Sequence, residues 1–182
     1  MRSLFVVSLP RSASTAIYHL ARTALRLAEP IWTSDGEILN NDRMALYGGL
    51  AYDESEKFLT PHRTPLKFRR ALAFARDVTK PDGYAYKDVV NPFLVGAYLT
   101  ETPGPVLRVR RHPADVAWVM IEKRWYYPSR VSEHPGSSDR AMVEGLVRAE
   151  QALASLQAEV LDFDEFLVDE EALRSKLSAL YP

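Results

Sequence analysis

Leu4, Phe5, Val6 and Val7 form an unbroken apolar run, so Ser3–Ser8 reads as a short strand buried on both faces. Leu9–Thr15 is a tight polar turn. Ala16–Ala28 then reads as an amphipathic helix, with Ile17, Leu20, Ala21, Ala24, Leu27 and Ala28 on one face and His19, Arg22 and Arg26 off it. Glu29–Asp53 is polar and irregular, with a short helix expected at Asp42–Leu50. Beyond it the pattern predicts a helix over Leu66–Asp77, a strand over Gly83–Lys87 and a helix over Pro92–Thr100 opened by its proline. A strand over Pro105–Arg110 and a helix over Pro113–Tyr127 come next, then a loop to Ser138. Arg140–Gln157 is an amphipathic helix with Met142, Val143, Leu146, Val147, Leu153 and Ala154 on one face. Glu159–Asp162 is a fourth strand. Asp169 caps a last helix with Glu170 and Glu171 early and Arg174 and Lys176 late, as the helix dipole favours.

Strands alternating with helices imply an α/β fold, a mainly parallel sheet covered on both faces. Ligands of such sheets bind beyond the carboxyl ends of the strands. The loops after Ser8, Lys87 and Arg110 should therefore meet at one site. Cover over it is expected from the segment between Glu29 and Thr79.

The 182 residues suit one domain, 1–182, and neither an internal repeat nor a long low-complexity segment interrupts them. A net charge of −1 argues against bulk binding to nucleic acid or to an anionic membrane, so basic residues must act locally. Without cysteine, disulfide and thiolate chemistry are excluded. No apolar run reaches spanning length, and a first strand starting at about residue 3 leaves no room for a leader. The expectation is a cytoplasmic protein; its oligomeric state is left open.

The turn at Pro10-Arg11-Ser12-Ala13-Ser14-Thr15 sits between a strand and a helix N-terminus. Free backbone N–H groups and the positive end of the helix dipole make that an anion site. It is not a Walker A loop, which needs two glycines and a lysine. The bland alternative is a turn whose Ser14 only caps the helix. The run of a basic residue, a hydroxyl, a small residue and two more hydroxyls resembles the 5′-phosphosulfate loop of sulfotransferases that use 3′-phosphoadenosine 5′-phosphosulfate (PAPS). Ala13 stands where that family usually has glycine.

A second stretch, Val106–Ala117, runs from a strand through Arg110-Arg111-His112-Pro113 into a helix. It resembles the family's 3′-phosphate motif, in which Arg111 would hold that phosphate through its planar fork. The alternative for Arg110 and Arg111 is a basic strand end paired with carboxylates. Two departures fall on this side: Val119 stands where a serine is usual, and no basic closing loop is read after Glu159–Val168. The resemblance implies a three-layer α/β sandwich related to the P-loop nucleotide kinases. It also implies transfer of a sulfuryl group from PAPS, without a metal, to a hydroxyl or amine of a small molecule or carbohydrate. A nucleotide-dependent phosphotransferase and a catalytically silent nucleotide- or anion-binding protein are the alternatives.

In that reading Arg11 stabilises the leaving oxygen, and Ser12, Ala13, Ser14 and Thr15 cradle the 5′-phosphate. The resemblance favours Glu37 as the base, with a solvated loop carboxylate as the alternative. Lys87 and Asp88 follow the second strand and should both face the cleft, Lys87 on the transferred group or acceptor and Asp88 as a second candidate base. A strand-end ion pair is the alternative for these two. Among the histidines, His62 is a weaker base candidate, His112 should orient the basic turn, and His19 and His134 should be exposed. No spacing suggests a metal site. Trp118, Trp125, Tyr126 and Tyr127 read as packing, or as a stacking surface for adenine or an apolar acceptor. The acceptor pocket is expected between Trp32–Leu59 and Pro128–Ser138.

Overall fold

The structure, a computed structural model, describes residues 1–30, 35–39, 57–169 and 171–182. Four strands, β1 (Leu4–Ser8), β2 (Ala85–Asp88), β3 (Val106–Arg110) and β4 (Glu159–Asp162), form one sheet of order β2-β1-β3-β4. All its pairings are parallel, with Val6 opposite Lys87 and Leu107, and Arg110 opposite Asp162. The helices are α1 (Ser14–Ala24), α2 (Pro65–Val78), α3 (Pro92–Leu99), α4 (Pro113–Glu122), α5 (Asp139–Ala154), α6 (Phe163–Val168) and α7 (Glu171–Leu180), with a 3-10 helix at Tyr127–Val131.

The two-residue period of a strand divides the core into two. Leu4 and Val6 of β1 join Ile17, Ala21, Ala85, Leu107, Leu161, Leu173 and Leu177 under α1 and α7. Phe5 and Val7 join Phe74, Tyr86, Leu94, Tyr98, Met120 and Leu146 under α2 to α5. The result is the expected α/β sandwich of three layers, with a parallel sheet in the middle.

Two helices stop short of the pattern, and for one reason. The expected helix to Ala28 ends at Ala24 because Arg26 turns left-handed (φ 53°). Leu27 N–H then donates to the Arg22 carbonyl, and Arg26 N–H to that of Thr23, the paired bonds of a Schellman motif. Ala28 goes on to pair beside β2 rather than prolong the apolar stripe. The expected helix to Tyr127 ends at Glu122 in the same way. Arg124 takes φ 56°, and Arg124 and Trp125 N–H donate to the carbonyls of Ile121 and Met120. Glycine is the usual residue at such a position, and arginine there carries no sequence signal.

α5 begins and ends slightly earlier than the pattern suggests, and its buried stripe is Met142, Leu146, Ala149 and Leu153, with Val143 and Val147 turned outward. α6 follows β4 without an intervening loop. Asp169 Oδ1 does accept from Glu171 N–H (2.8 Å) before α7; Glu170 lies outside the described residues. So do the expected helix at Asp42–Leu50 and Trp32 to Ser34.

Candidate functional site

The carboxyl ends of all four strands open into one cavity of about 1390 Å³. Its described lining comes from Pro10–Ala16 after β1, Val89 and Val90 after β2, Arg111 after β3 and Phe163 after β4. His19, Asp35, Glu37, Leu39, Lys57, Lys87, Val119, Trp125 and Tyr127 complete it.

The β1–α1 turn is strained and unfinished. Arg11 (φ 61°) and Ala13 (φ 54°) are both left-handed, at a cost of about 1–2 kcal/mol each for a residue with a Cβ. Ala13, not Ser14, is the N-cap residue of α1, and it offers the helix start no side-chain hydrogen bond. Ser14 therefore does not cap the helix. Ser12 is fully buried with an unpartnered hydroxyl oxygen. Strain of this kind, beside unmet hydrogen-bonding groups, makes the turn a candidate ligand site.

Three cations converge on the turn. Lys87, nearly fully buried, donates from Nζ to Thr15 Oγ1 at 2.8 Å. Arg111 donates to the backbone carbonyl of Arg11 and lies over the Phe163 ring, 4.4 Å from its centroid. The Arg11 guanidinium lies 5.8 Å from the Trp125 ring centroid. Arg110, adjacent to Arg111, takes the other fate foreseen for this pair: its Nε and Nη2 grip Asp162 at the end of β4.

Lys87 and Asp88 do not share the cleft. They are neighbours on β2, so their side chains leave opposite faces of the sheet. Asp88 is 2% exposed, is not part of the cavity wall, and accepts from Val90 N–H (3.2 Å), Asn91 N–H (3.1 Å) and the Tyr98 hydroxyl (3.4 Å). Burial pushes its carboxyl up to about 7, against the hydrogen bonds from Asn91 and Val90. It holds the β2–α3 turn and is out of reach of a substrate in the cavity.

Glu37 does line the cavity. Lys87 N–H donates to the Gly36 carbonyl (2.8 Å), and Ile38 N–H to that of Lys87 (3.1 Å), so residues 36–38 run beside β2. Gly36 takes φ 68°, and a Cβ there would meet the Tyr18 ring at 2.2 Å, so only glycine lets this segment approach α1. Burial raises the Glu37 carboxyl above its ordinary range, while Lys87 and Lys57 pull it down and Asp35 adds to the rise.

His19 stands one turn beyond Thr15 on the cavity face of α1, with Nε2 3.5 Å from Asp35 Oδ1, rather than simply in solvent. His62 is exposed and away from the cavity, and His112 accepts from Ala114 N–H as the cap of α4. Val119 does line the cavity. Of the segment expected to cover the site, residues 35–39 and Lys57 contribute, whereas α2 packs away from it on α3. Trp118 is 69% exposed, and Trp125 and Tyr127 are the aromatic residues of that cluster in the cavity wall.

Sequence reasoning passed over Asp35, Lys57 and Phe163. Phe163 could have been found as the first residue beyond the fourth strand. Lys57 sits 4.8 Å over the Tyr127 ring, a contact across distant segments that leaves no local signal. Among the described residues no helix is long and apolar enough to cross a membrane, and no group of three His, Asp or Glu side chains is placed to hold a metal ion.

No family model matches the sequence, and no curated protein does. The structure matches that of a shikimate kinase from Bacteroides thetaiotaomicron with a TM-score of 0.57 over 98% of this chain and 95% of that one, at 12% identity. The chain thus shares that protein's α/β fold, a parallel sheet flanked by helices.

Proposed function

We propose that this protein is a nucleotide-dependent group transferase, and specifically a sulfotransferase that moves a sulfuryl group from PAPS to a hydroxyl or amine of a small molecule or carbohydrate. The β1–α1 turn carries this reading. It joins two left-handed residues, an uncapped helix start and the unpartnered Ser12 hydroxyl with Arg11 and Lys87, which is what an anionic 5′ group needs. Arg111 stands at the far side of the Arg11 backbone, where a 3′-phosphate can be gripped in the same cavity.

Transfer forms a bond from the acceptor oxygen or nitrogen to sulfur as the bond from sulfur to the bridging oxygen of the 5′-phosphate breaks. The electron pair leaves on that bridging oxygen, and Arg11 and Lys87 stabilise the charge developing there. The acceptor's proton passes to Glu37, whose carboxyl burial makes more basic than usual. Holding the acceptor in line is the remaining contribution, and the cavity is large enough for both substrates.

A second reading, phosphoryl transfer from an ordinary nucleotide, is favoured by the fold shared with a kinase and by Val119 on the 3′-phosphate side. Calorimetric titration with 3′-phosphoadenosine 5′-phosphate beside ADP and ATP decides between them. Micromolar binding of the first, with at least a tenfold preference over ADP, supports PAPS. Binding of ATP alone moves phosphoryl transfer to the front.

A further inference from the structure

The left-handed turn after β1 has to be held from outside. A residue with a Cβ adopts that conformation at a cost, and keeps it only where its surroundings over-determine it. Ala13 is secured by α1, since its carbonyl accepts from Ile17 N–H (3.1 Å). Arg11 (φ 61°) is secured from a distant part of the chain. Its carbonyl accepts from Arg111 Nη1, 100 residues away and just past the end of β3.

Arg111 is itself seated. Its guanidinium carbon lies over the Phe163 ring, 4.4 Å from the centroid. The seat follows from the sheet. β3 and β4 pair in parallel with Arg110 opposite Asp162. Arg110 locks that register by donating from Nε to Asp162 Oδ1 (2.5 Å) and from Nη2 to Oδ2 (2.7 Å). The residue after each, Arg111 and Phe163, is thereby brought to the same edge, and both stand in the cavity wall.

These contacts form one chain, from the end of β4 through Phe163 and Arg111 to Arg11. Arginine suits the middle place. Its guanidinium offers a face to the ring and five N–H donors at its edge, so one bond to the Arg11 carbonyl leaves others for a phosphate. Leucine in place of Phe163 would keep apolar bulk and lose the attraction of the ring for a cation.

We infer that Phe163 is a positioning residue for the β1–α1 turn: its ring seats Arg111, and Arg111 holds Arg11 in the left-handed conformation that shapes the anion site. The inference rests on the proposed anion-binding role of that turn. An aromatic ring in a nucleotide cavity can instead stack on the base, and a probe without a base separates the two roles.

Inorganic pyrophosphate is that probe, titrated calorimetrically beside 3′-phosphoadenosine 5′-phosphate. Phe163→Leu should bind pyrophosphate roughly fivefold more weakly than the parent at an unchanged folding midpoint, and Phe163→Tyr should restore the affinity. Arg111→Gln should lose at least as much. Adding Phe163→Leu to it should cost nothing further, because the ring acts only through Arg111. Leu167→Ser, at an exposed position of α6, should bind as the parent does. Parent-like pyrophosphate binding by Phe163→Leu, losses that add in the double variant, or a loss that tracks a lowered folding midpoint overturns the inference. A loss confined to the nucleotide overturns it in favour of base stacking. If the parent itself does not bind pyrophosphate, the inference falls; the transferase reading falls with it only if 3′-phosphoadenosine 5′-phosphate and ATP also fail to bind. If the pyrophosphate results hold but no group moves from PAPS or ATP to any acceptor tried, the transferase reading fails and the role of Phe163 stands.

Discussion

The β1–α1 and β2–α3 turns leave neighbouring parallel strands at the same edge of the sheet, yet they are built to opposite ends. In β2–α3, the buried Asp88 carboxylate takes the N–H groups of Val90 and Asn91 and the Tyr98 hydroxyl, and Asn91 Oδ1 accepts from Leu59 N–H. Its polar groups are satisfied from within, and no left-handed residue occurs in it. In β1–α1, two residues with a Cβ are left-handed, the helix start has no side-chain cap, and Ser12 Oγ has no partner. The first turn is complete as a piece of protein. The other leaves a buried hydroxyl and a helix start unmet, as the proposed anion site requires.

Arg11→Ala should break this contrast most severely. Transfer is expected to fall about 10²–10³-fold, the scale of losing one charge-stabilising donor, while the folding midpoint stays put. Unchanged turnover would remove Arg11 from the chemistry. Asp88→Ala should do the reverse. It leaves the buried Asn91 N–H, the part-buried Val90 N–H and the Tyr98 hydroxyl without their acceptor, for a loss of about 3 kcal/mol by denaturant titration. Per folded molecule, its nucleotide affinity should remain that of the parent.

Lys87→Met tests whether the buried ammonium serves the fold or the ligand. Anion affinity should drop roughly tenfold by calorimetry, with no loss of thermal stability, because burying an ammonium costs more than burying a thioether. A lower midpoint with unchanged affinity would make Lys87 structural. Ala13→Gly should stabilise the ligand-free protein by about 1 kcal/mol, since glycine takes the left-handed conformation without strain.

The same turn should also show in the pH dependence of stability. The Asp88 carboxyl is raised from 3.8 to about 7, so the folded protein keeps a proton that the unfolded chain has lost. The stability tied to this group is fully present below about pH 4 and declines as pH rises through 7. The melting temperature of the parent should therefore fall further between pH 5 and 8 than that of Asp88→Asn. Parallel curves would mean that Asp88 is already ionised at the lower pH.

How far the sequence could be read depended on the range of the interaction involved. The apolar run of β1, the prolines opening α3 and α4 and the hydroxyl-rich turn are local patterns, and each marks its element. The stops of α1 and α4 were illegible because Arg26 and Arg124 occupy positions where glycine is the usual signal. Arg110 and Arg111 look alike in sequence. Only the neighbours supplied where β4 meets α6, Asp162 for one and Phe163 for the other, separate an ion pair from a cavity cation.

The sequence by itself determined the class of fold and the position of the strand-to-helix turn proposed to bind an anion, because strand period, helix period and the order of elements lie in contiguous residues. Tertiary structure alone decided which polar residues reach the cavity. Lys87 and Asp88 are covalent neighbours, but the pleat sends one to the α1 side and the other into the α3 side of the core. It also decided the course of Arg124–Tyr127, since the direction of a chain leaving a helix is set by a backbone conformation that its residue type does not announce.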